Sequence, residues 1–221
     1  MKIKFYFDTL SPYSYLAWCW LRENREYLSK FGEVILIPIT LSALIKANET
    51  KGPAEIPSKR DYLMKDCRRK AKELNLPFHP PKVLPFNSLY AQRISLFECS
   101  GDQQWQAIDV FFRTAWEEGK DLGSSEEVED CLKKNGLPSE KWMEQVGNKV
   151  LRSTLKVNTK EAINAGIFGI PSFLVDNGNK QEHFWGQDSI SFLKLFLENK
   201  DPLNRDLLEK FRDCYLNLDS V

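Results

Sequence analysis

The chain has 221 residues, of which 42% are hydrophobic and 28% are charged, enough apolar material for one full-sized domain or two small ones. Its 31 basic and 31 acidic side chains give a formal net charge of zero, so its charge gives no reason to expect a nucleic-acid or anionic-membrane partner. No segment has the length and apolarity of a membrane span or a signal peptide, and a cytoplasmic location is therefore expected.

The cysteine and histidine positions suggest neither a redox pair nor a metal site. The two histidines are far apart, and no cysteines have the close spacing of a zinc ligand set. Cys19 lies beyond the first turn of a predicted helix, which favours a buried thiol over a reactive one. We therefore predict reduced, mostly structural thiols and no metal. The five cysteines are Cys19, Cys67, Cys99, Cys131 and Cys214.

The chain opens with a pattern typical of a β-α-β unit. Apolar and polar residues alternate over 2–8 (KIKFYFD), which predicts a strand, and Pro12 falls where a helix would begin. The apolar residues of 13–28 predict that helix. A β-branched segment over 33–39 (EVILIPI) predicts a second strand, buried and parallel to the first.

The rest of the chain predicts helices first and strands later. Charged amphipathic segments fill 49–149 without a strand pattern, so we expect an inserted helical domain there. Residues 150–221 then predict a helix, a strand, a hairpin turn (Asn177 to Asn179), a return strand, a helix, and a C-terminal helix or tail. Together, 1–48 and 150–221 predict an α/β fold, a thioredoxin-like βαβ…αββα domain interrupted by the all-helical insertion.

The segment SPYS, Ser11 to Ser14, has hydroxyls where a redox protein of this layout has a Cys-x-x-Cys pair. A helix N-terminus offers unpaired N–H groups and about half a positive charge, so it stabilises an anion. Ser11 cannot exchange disulfides, but its hydroxyl can donate a hydrogen bond to the thiolate of another molecule. Serine is also a common helix cap, and SPYS alone favours that simpler role.

Two later segments predict further parts of a site. In GIFGIPSFLVD, the Ile170–Pro171 bond is a candidate cis peptide that would leave the Ile170 backbone free to pair with an extended peptide ligand. A trans proline at the start of an edge strand is the alternative. In FWGQDSI, Asp188 is a good helix cap, and its carboxylate could receive the ammonium group of an amino acid.

Lys59 is a third candidate, because it opens a predicted helix at the end where the helix dipole opposes a cation. Its position does not serve helix stability, and this favours a role in anion binding. A solvated surface lysine is the alternative.

In their order and spacing these segments resemble the 2-hydroxychromene-2-carboxylate isomerases and the similar kappa-class glutathione transferases. FYFDTLSPYSYLA is similar to the family's opening, NETKGP and PSKRDYLMKD to the loop and first helix of its insertion, and TAWEEGKDL, GIFGIPSF and FWGQDS to its later segments. The resemblance extends to about Phe196. It implies glutathione as the cofactor and a homodimer.

The resemblance also implies which residues bind glutathione. They are Ser11 (the sulfur), Ile170 with Pro171 (the cysteinyl part), Gln187 with Asp188 (the γ-glutamyl end) and Lys59 (near the glycyl carboxylate). The family's arginine after that aspartate is Ser189 in this chain, so this position supplies no cation for a γ-glutamyl contact or a packing salt bridge.

These roles predict a glutathione-dependent isomerase that acts on a conjugated aromatic substrate by reversible thiolate addition, with Ser11 as the catalytic residue. Tyr13, Trp116 and Trp185 are candidates for an aryl pocket. Two alternatives stay open: a kappa-like transferase that conjugates glutathione to electrophiles, and a redox-inactive binding protein of the same fold. The expected partners are glutathione and a small aromatic or electrophilic substrate.

Overall fold

Within residues 1–178 and 180–203, four strands form one mixed sheet in the order β2-β1-β3-β4. β1 (Lys2–Phe7) runs parallel to β2 (Glu33–Pro38) and antiparallel to β3 (Ser172–Asp176). β3 pairs in turn with β4 (Gln181–Trp185), also antiparallel. This topology confirms the α/β, thioredoxin-like fold class that the sequence predicts.

The computed structural model of the chain describes residues 1–178 and 180–203. Asn179 of the predicted hairpin turn, Cys214, and the predicted C-terminal helix or tail from residue 204 onward lie outside the described residues. No helix among the described residues is long and apolar enough to cross a membrane.

Eleven α-helices accompany the sheet in the described part of the chain. They are α1 (Pro12–Glu23), α2 (Arg25–Ser29), α3 (Leu41–Ala47), α4 (Pro57–Glu73), α5 (Leu89–Ile94), α6 (Phe97–Ser100), α7 (Gln104–Trp116), α8 (Ser125–Lys134), α9 (Ser139–Gln145), α10 (Lys149–Asn164) and α11 (Ile190–Leu197). Short 3-10 turns lie at Pro53–Glu55, Gly101–Gln103 and Gln187–Ser189. Residues 49–149, all of them described, contain helices and no strand, while the exact domain boundaries stay a prediction.

The single helix predicted over 13–28 is wrong, because the chain breaks it into α1 and α2 at Asn24. The backbone N–H and the side-chain Nδ2 of Asn24 both donate to the Trp20 carbonyl, each at 2.9 Å. Its backbone angles, φ −103° and ψ 18°, leave the helical region. A local side-chain bond of this kind competes with helix continuation.

β1 lies between two apolar layers. Phe5 and Phe7 stack on each other, and they contact Trp18 of α1 and Phe112 of α7 on one face of the sheet. Tyr6 points to the other face, where residues of α3 and α10 cover it. The insertion therefore shares a core with the sheet, and the loop that leaves β1 toward α1 starts from a rigid position.

The four described cysteines are buried. Burial raises the pKa of the Cys19, Cys67 and Cys131 thiols to about 12 and that of Cys99 to about 11. Since the thiolate is the reactive form, these groups are poor nucleophiles at neutral pH. The interpretation of Cys19 as a structural thiol is confirmed.

Candidate functional site

Ser11 caps the first turn of α1, as the sequence predicts. Its Oγ accepts the backbone N–H of Ser14 at 3.2 Å, and Pro12 occupies the first helical position. Ser11 is 5% exposed, and its hydroxyl hydrogen has no acceptor among the described residues. The Ser14 hydroxyl is buried without a described partner. A hydroxyl donor and the positive end of a helix dipole therefore coincide at Ser11.

A glutamine from the helical insertion holds the loop that leads into α1. Gln92 on α5 has no exposed surface, and its Oε1 accepts the Thr9 N–H at 3.1 Å. Its Nε2 donates to the carbonyls of Phe7 and Ile39, at 3.0 and 2.8 Å. One buried side chain thus joins the ends of β1 and β2 to the loop before Ser11.

Two more side chains fix the same loop. The indole N–H of Trp116 donates to the Thr9 carbonyl at 2.8 Å. The Asp8 carboxylate accepts the N–H groups of Leu10 and Leu41, at 3.1 and 2.9 Å, and burial raises the Asp8 pKa although these bonds oppose the rise. Trp116 is fully buried in this role, so its expected place in an aryl pocket is wrong.

The loop before β3 contains the second candidate segment. Ile170–Pro171 is a cis peptide bond, which decides between the two forms that the sequence left open. The Pro171 carbonyl accepts the Gly186 N–H at 2.9 Å and so joins this loop to the turn after β4. The backbone N–H and carbonyl of Ile170 make no hydrogen bond to any described residue, so both are available to a peptide-like ligand.

The turn after β4 presents a carboxylate. Gly186 has φ 88°, a conformation that favours glycine, and a Cβ there would clash with Oδ1 of Asp188. Ser189 donates its hydroxyl to the Gly186 carbonyl at 2.9 Å. Asp188 lies in the 3-10 turn before α11 rather than at the helix cap, which is Ser189. The predicted capping role of Asp188 is therefore wrong, and its exposed carboxylate is available to a ligand.

Helix α4 forms the opposite wall through a three-residue network. The Tyr13 hydroxyl donates to Oδ2 of Asp66 at 2.7 Å, and Nζ of Lys70 lies 3.1 Å from the same oxygen. The Lys70 ammonium also lies 5.1 Å from the centre of the Tyr13 ring. Burial alone would raise the Asp66 pKa, but the hydrogen bonds from Tyr13 and Lys70 outweigh it and lower that pKa. Asp66 is therefore a carboxylate that ties α4 to α1.

These segments surround a cavity of about 410 Å³. Its lining comes from α1, α4, the cis-proline loop, the end of β4, the turn after β4 and α11: Tyr13, Lys70, Ile170, Pro171, Trp185, Gly186, Gln187, Asp188, Ser189 and Phe192. The cavity brings together four of the six predicted glutathione-binding residues.

The other two predicted residues do not line this cavity. Ser11 is buried in the turn of α1 that carries Tyr13. Lys59 is exposed in the first turn of α4. Tyr13 and Trp185, both expected near an aryl substrate, do line it.

Sequence reasoning missed Lys70 as a cavity residue. A signal was present, because Lys70 follows Asp66 by one helical turn and shares a face of α4 with Lys59. No group of three or more described His, Cys, Asp or Glu side chains could hold a metal ion.

The sheet order, the helical insertion, the cis-proline loop and the serine-capped helix around one cavity define a thioredoxin-like protein. The family described as "DSBA-like thioredoxin domain" matches residues 2–198. Since this is most of the chain, the protein belongs to that family.

Relatives with assigned names are similar over nearly the whole chain. Glutathione S-transferase kappa 1 of Caenorhabditis elegans is 26% identical over 211 residues, covering 91% of this chain and 93% of that protein. The 2-hydroxychromene-2-carboxylate isomerase of Sphingobium xenophagum is 26% identical over 195 residues, covering 88% and 97%. The resemblance seen in the sequence is thereby confirmed.

Solved structures show the same fold. A 2-hydroxychromene-2-carboxylate isomerase matches with a TM-score of 0.74 and 23% identity over 100% of both chains. The cytosolic disulfide reductase DsbM of Pseudomonas aeruginosa, in a structure with GSH, matches with a TM-score of 0.64 and 17% identity over 90% of this chain and 100% of that one.

Proposed function

We propose that the chain is a glutathione-dependent isomerase of the 2-hydroxychromene-2-carboxylate isomerase type that acts on a conjugated aromatic substrate. One observation carries the proposal: the unpaired Ile170 backbone, the Asp188 carboxylate and the first turn of α1 meet at one cavity. Its volume of about 410 Å³ is within the range of small-molecule sites, roughly 300–1,000 Å³.

Glutathione fits the chemistry of this lining. The free N–H and carbonyl of Ile170 suit the cysteinyl peptide groups, since an extended backbone pairs with such groups as a strand does. Gln187 and Asp188 suit the γ-glutamyl end, where the ammonium needs an anion. Lys59 remains the proposed partner of the glycyl carboxylate. It reaches that group only if the ligand extends beyond the cavity along α4.

Bound glutathione would supply the nucleophile for isomerisation by reversible addition, in which a carbon–sulfur bond forms at a conjugated double bond and breaks again with no net change to the thiol. Ser11 does not line the cavity itself, so its role requires the sulfur to reach past Tyr13 to the cap of α1. There the Ser11 hydroxyl would donate a hydrogen bond to the sulfur, and the N-terminus of α1 would add its dipole. Together they lower the pKa of the thiol and hold the anion in place. Tyr13, Trp185 and Phe192 offer ring surfaces for an aryl substrate.

A transferase is the second candidate, favoured by the similarity to the C. elegans protein named glutathione S-transferase kappa 1. Ser11 would have the same role in a transferase, because a transferase also needs a stabilised glutathione thiolate. The difference is that the carbon–sulfur bond persists in the released product.

Product analysis separates these candidates. The protein is incubated with glutathione and either 2-hydroxychromene-2-carboxylate or an activated aryl chloride, and the products are resolved by chromatography. We expect an isomerised product with glutathione recovered unchanged, and no such product when glutathione is omitted. A stable adduct without isomer would instead identify a transferase. If calorimetry detects no glutathione binding, both enzyme proposals fail and the redox-inactive binding protein remains.

The homodimer and the cytoplasmic location expected from the sequence stay predictions. Sedimentation of the purified protein and fractionation of the source cells would test them independently of activity.

A further inference from the structure

Lys70 and Asp188 present opposite charges to one cavity. Among the described lining residues, Lys70 has the only cationic side chain and Asp188 the only carboxylate. We propose that the two bind the zwitterionic amino-acid end of a γ-glutamyl ligand, with the α-carboxylate on Lys70 and the α-ammonium on Asp188. The proposal rests on glutathione being the ligand, and it assigns to Lys70 a role that sequence reasoning did not give it.

The network on α4 holds the Lys70 ammonium in place. Nζ lies 3.1 Å from Oδ2 of Asp66, which also accepts the Tyr13 hydroxyl at 2.7 Å. The side chains of Lys70 and Asp66 are 27% and 17% exposed, so neither is fully solvated. An ammonium has three donors, and Asp66 uses one of them. The remaining donors can serve a carboxylate in the cavity.

No other lining residue in the described part of the chain supplies the cation that the α-carboxylate needs. Ser189, the neighbour of Asp188, is neutral, and its hydroxyl donates to the Gly186 carbonyl. Gln187 can donate a hydrogen bond through its amide but has no charge. A charge-assisted bond is about twice as strong as a neutral one, so Lys70 should dominate the binding of that carboxylate.

The geometry of α4 places a second lysine at a suitable distance. Lys59 and Lys70 are about three turns apart, so they share one helix face roughly 16 Å apart along the axis. An extended tripeptide spans about 10 Å. Because Asp66 holds the Lys70 ammonium, the flexible stem of the exposed Lys59 has to cover the difference. Because glutathione carries a carboxylate at each end, the two lysines match it in charge, and the length of the Lys59 side chain brings the second carboxylate within reach.

The simpler role of Lys70 is a helix-stabilising pair with Asp66, four residues earlier on α4. That role predicts no dependence on the ligand's α-carboxylate. Ligand analogues can therefore separate the two roles.

The test is a calorimetric titration of the reduced protein with three ligands. They are glutathione, glutaryl-cysteinylglycine, which lacks the α-ammonium, and 4-aminobutyryl-cysteinylglycine, which lacks the α-carboxylate.

Lys70→Met should weaken the binding of glutathione and of the glutaryl analogue about tenfold and leave the binding of the aminobutyryl analogue unchanged. Asp188→Asn should weaken the binding of glutathione and of the aminobutyryl analogue and leave the binding of the glutaryl analogue unchanged. Lys65→Met, at an exposed lysine of α4 outside the cavity, is the matched control and should bind like wild type.

If wild-type protein binds glutathione and Lys70→Met binds it equally well, the inference is wrong while the proposed function stands. Equal weakening of all three ligands by Lys70→Met would also overturn it, because the effect would then come from the contact with Asp66. Absence of glutathione binding in the wild-type protein would remove the proposed function and the inference together.

Discussion

Replacing Ser11 with alanine should lower turnover about 100-fold and leave the protein folded. Loss of one donor to a developing or stabilised anion in an enzyme site costs about 10²–10³ in rate. The Ser11 hydroxyl is the donor in question, since its oxygen accepts the Ser14 N–H and its hydrogen has no described acceptor. The measurement is the initial rate with saturating glutathione, together with the free energy of unfolding.

Ser124 provides a matched control for the capping function. Its Oγ accepts the Glu127 N–H at 3.2 Å at the start of α8, the same distance as at Ser11. Both alanine variants should lose about 1 kcal/mol of stability through the missing cap, and only Ser11→Ala should lose turnover. Equal turnover in the two variants would show that Ser11 is only a cap.

Replacing Gln92 with methionine should lower the free energy of unfolding by about 3 kcal/mol, more than the loss of a helix cap does. Methionine has a similar volume but cannot pair with the Thr9 N–H or with the Phe7 and Ile39 carbonyls. Each buried group left without a partner costs about 1–3 kcal/mol. Because one of them precedes Ser11 by two residues, turnover should fall as well.

Gln106→Met is the control for Gln92→Met, since Gln106 is exposed on α7. Chemical denaturation should give it a stability within about 0.5 kcal/mol of wild type. If Gln92→Met lowered the free energy of unfolding as little as Gln106→Met, the three hydrogen bonds of Gln92 would not be what holds the loop between β1 and α1.

The local features of the site are visible in the sequence. The alternation of KIKFYFD predicts β1, Ser11 and Pro12 predict the start of α1, and the Gly-Ile-Pro segment identifies the loop that carries Ile170. Each depends on neighbouring residues and on rules of backbone geometry. Such rules need no knowledge of the rest of the chain.

The supporting contacts are not visible there, because they join residues distant in sequence. Gln92 looks like any polar residue of an amphipathic helix, yet it bonds groups that lie 53 to 85 positions away. The aromatic character of Trp116 suggests an aryl pocket, but it does not reveal that the indole N–H donates to the Thr9 carbonyl. Lys70 lies in the run KDCRRKAKE, where only the packing of α4 against α1 distinguishes it from its neighbours.

The most direct test of a Ser11-stabilised glutathione thiolate is an ultraviolet difference titration of the protein with glutathione, in which thiolate absorbance is followed against pH. The pKa of the bound thiol should lie below that of the free thiol, about 8.5 for cysteine, and should return toward it in Ser11→Ala. An unshifted pKa in the wild-type complex, or a lowered one that Ser11→Ala leaves unchanged, would contradict the account.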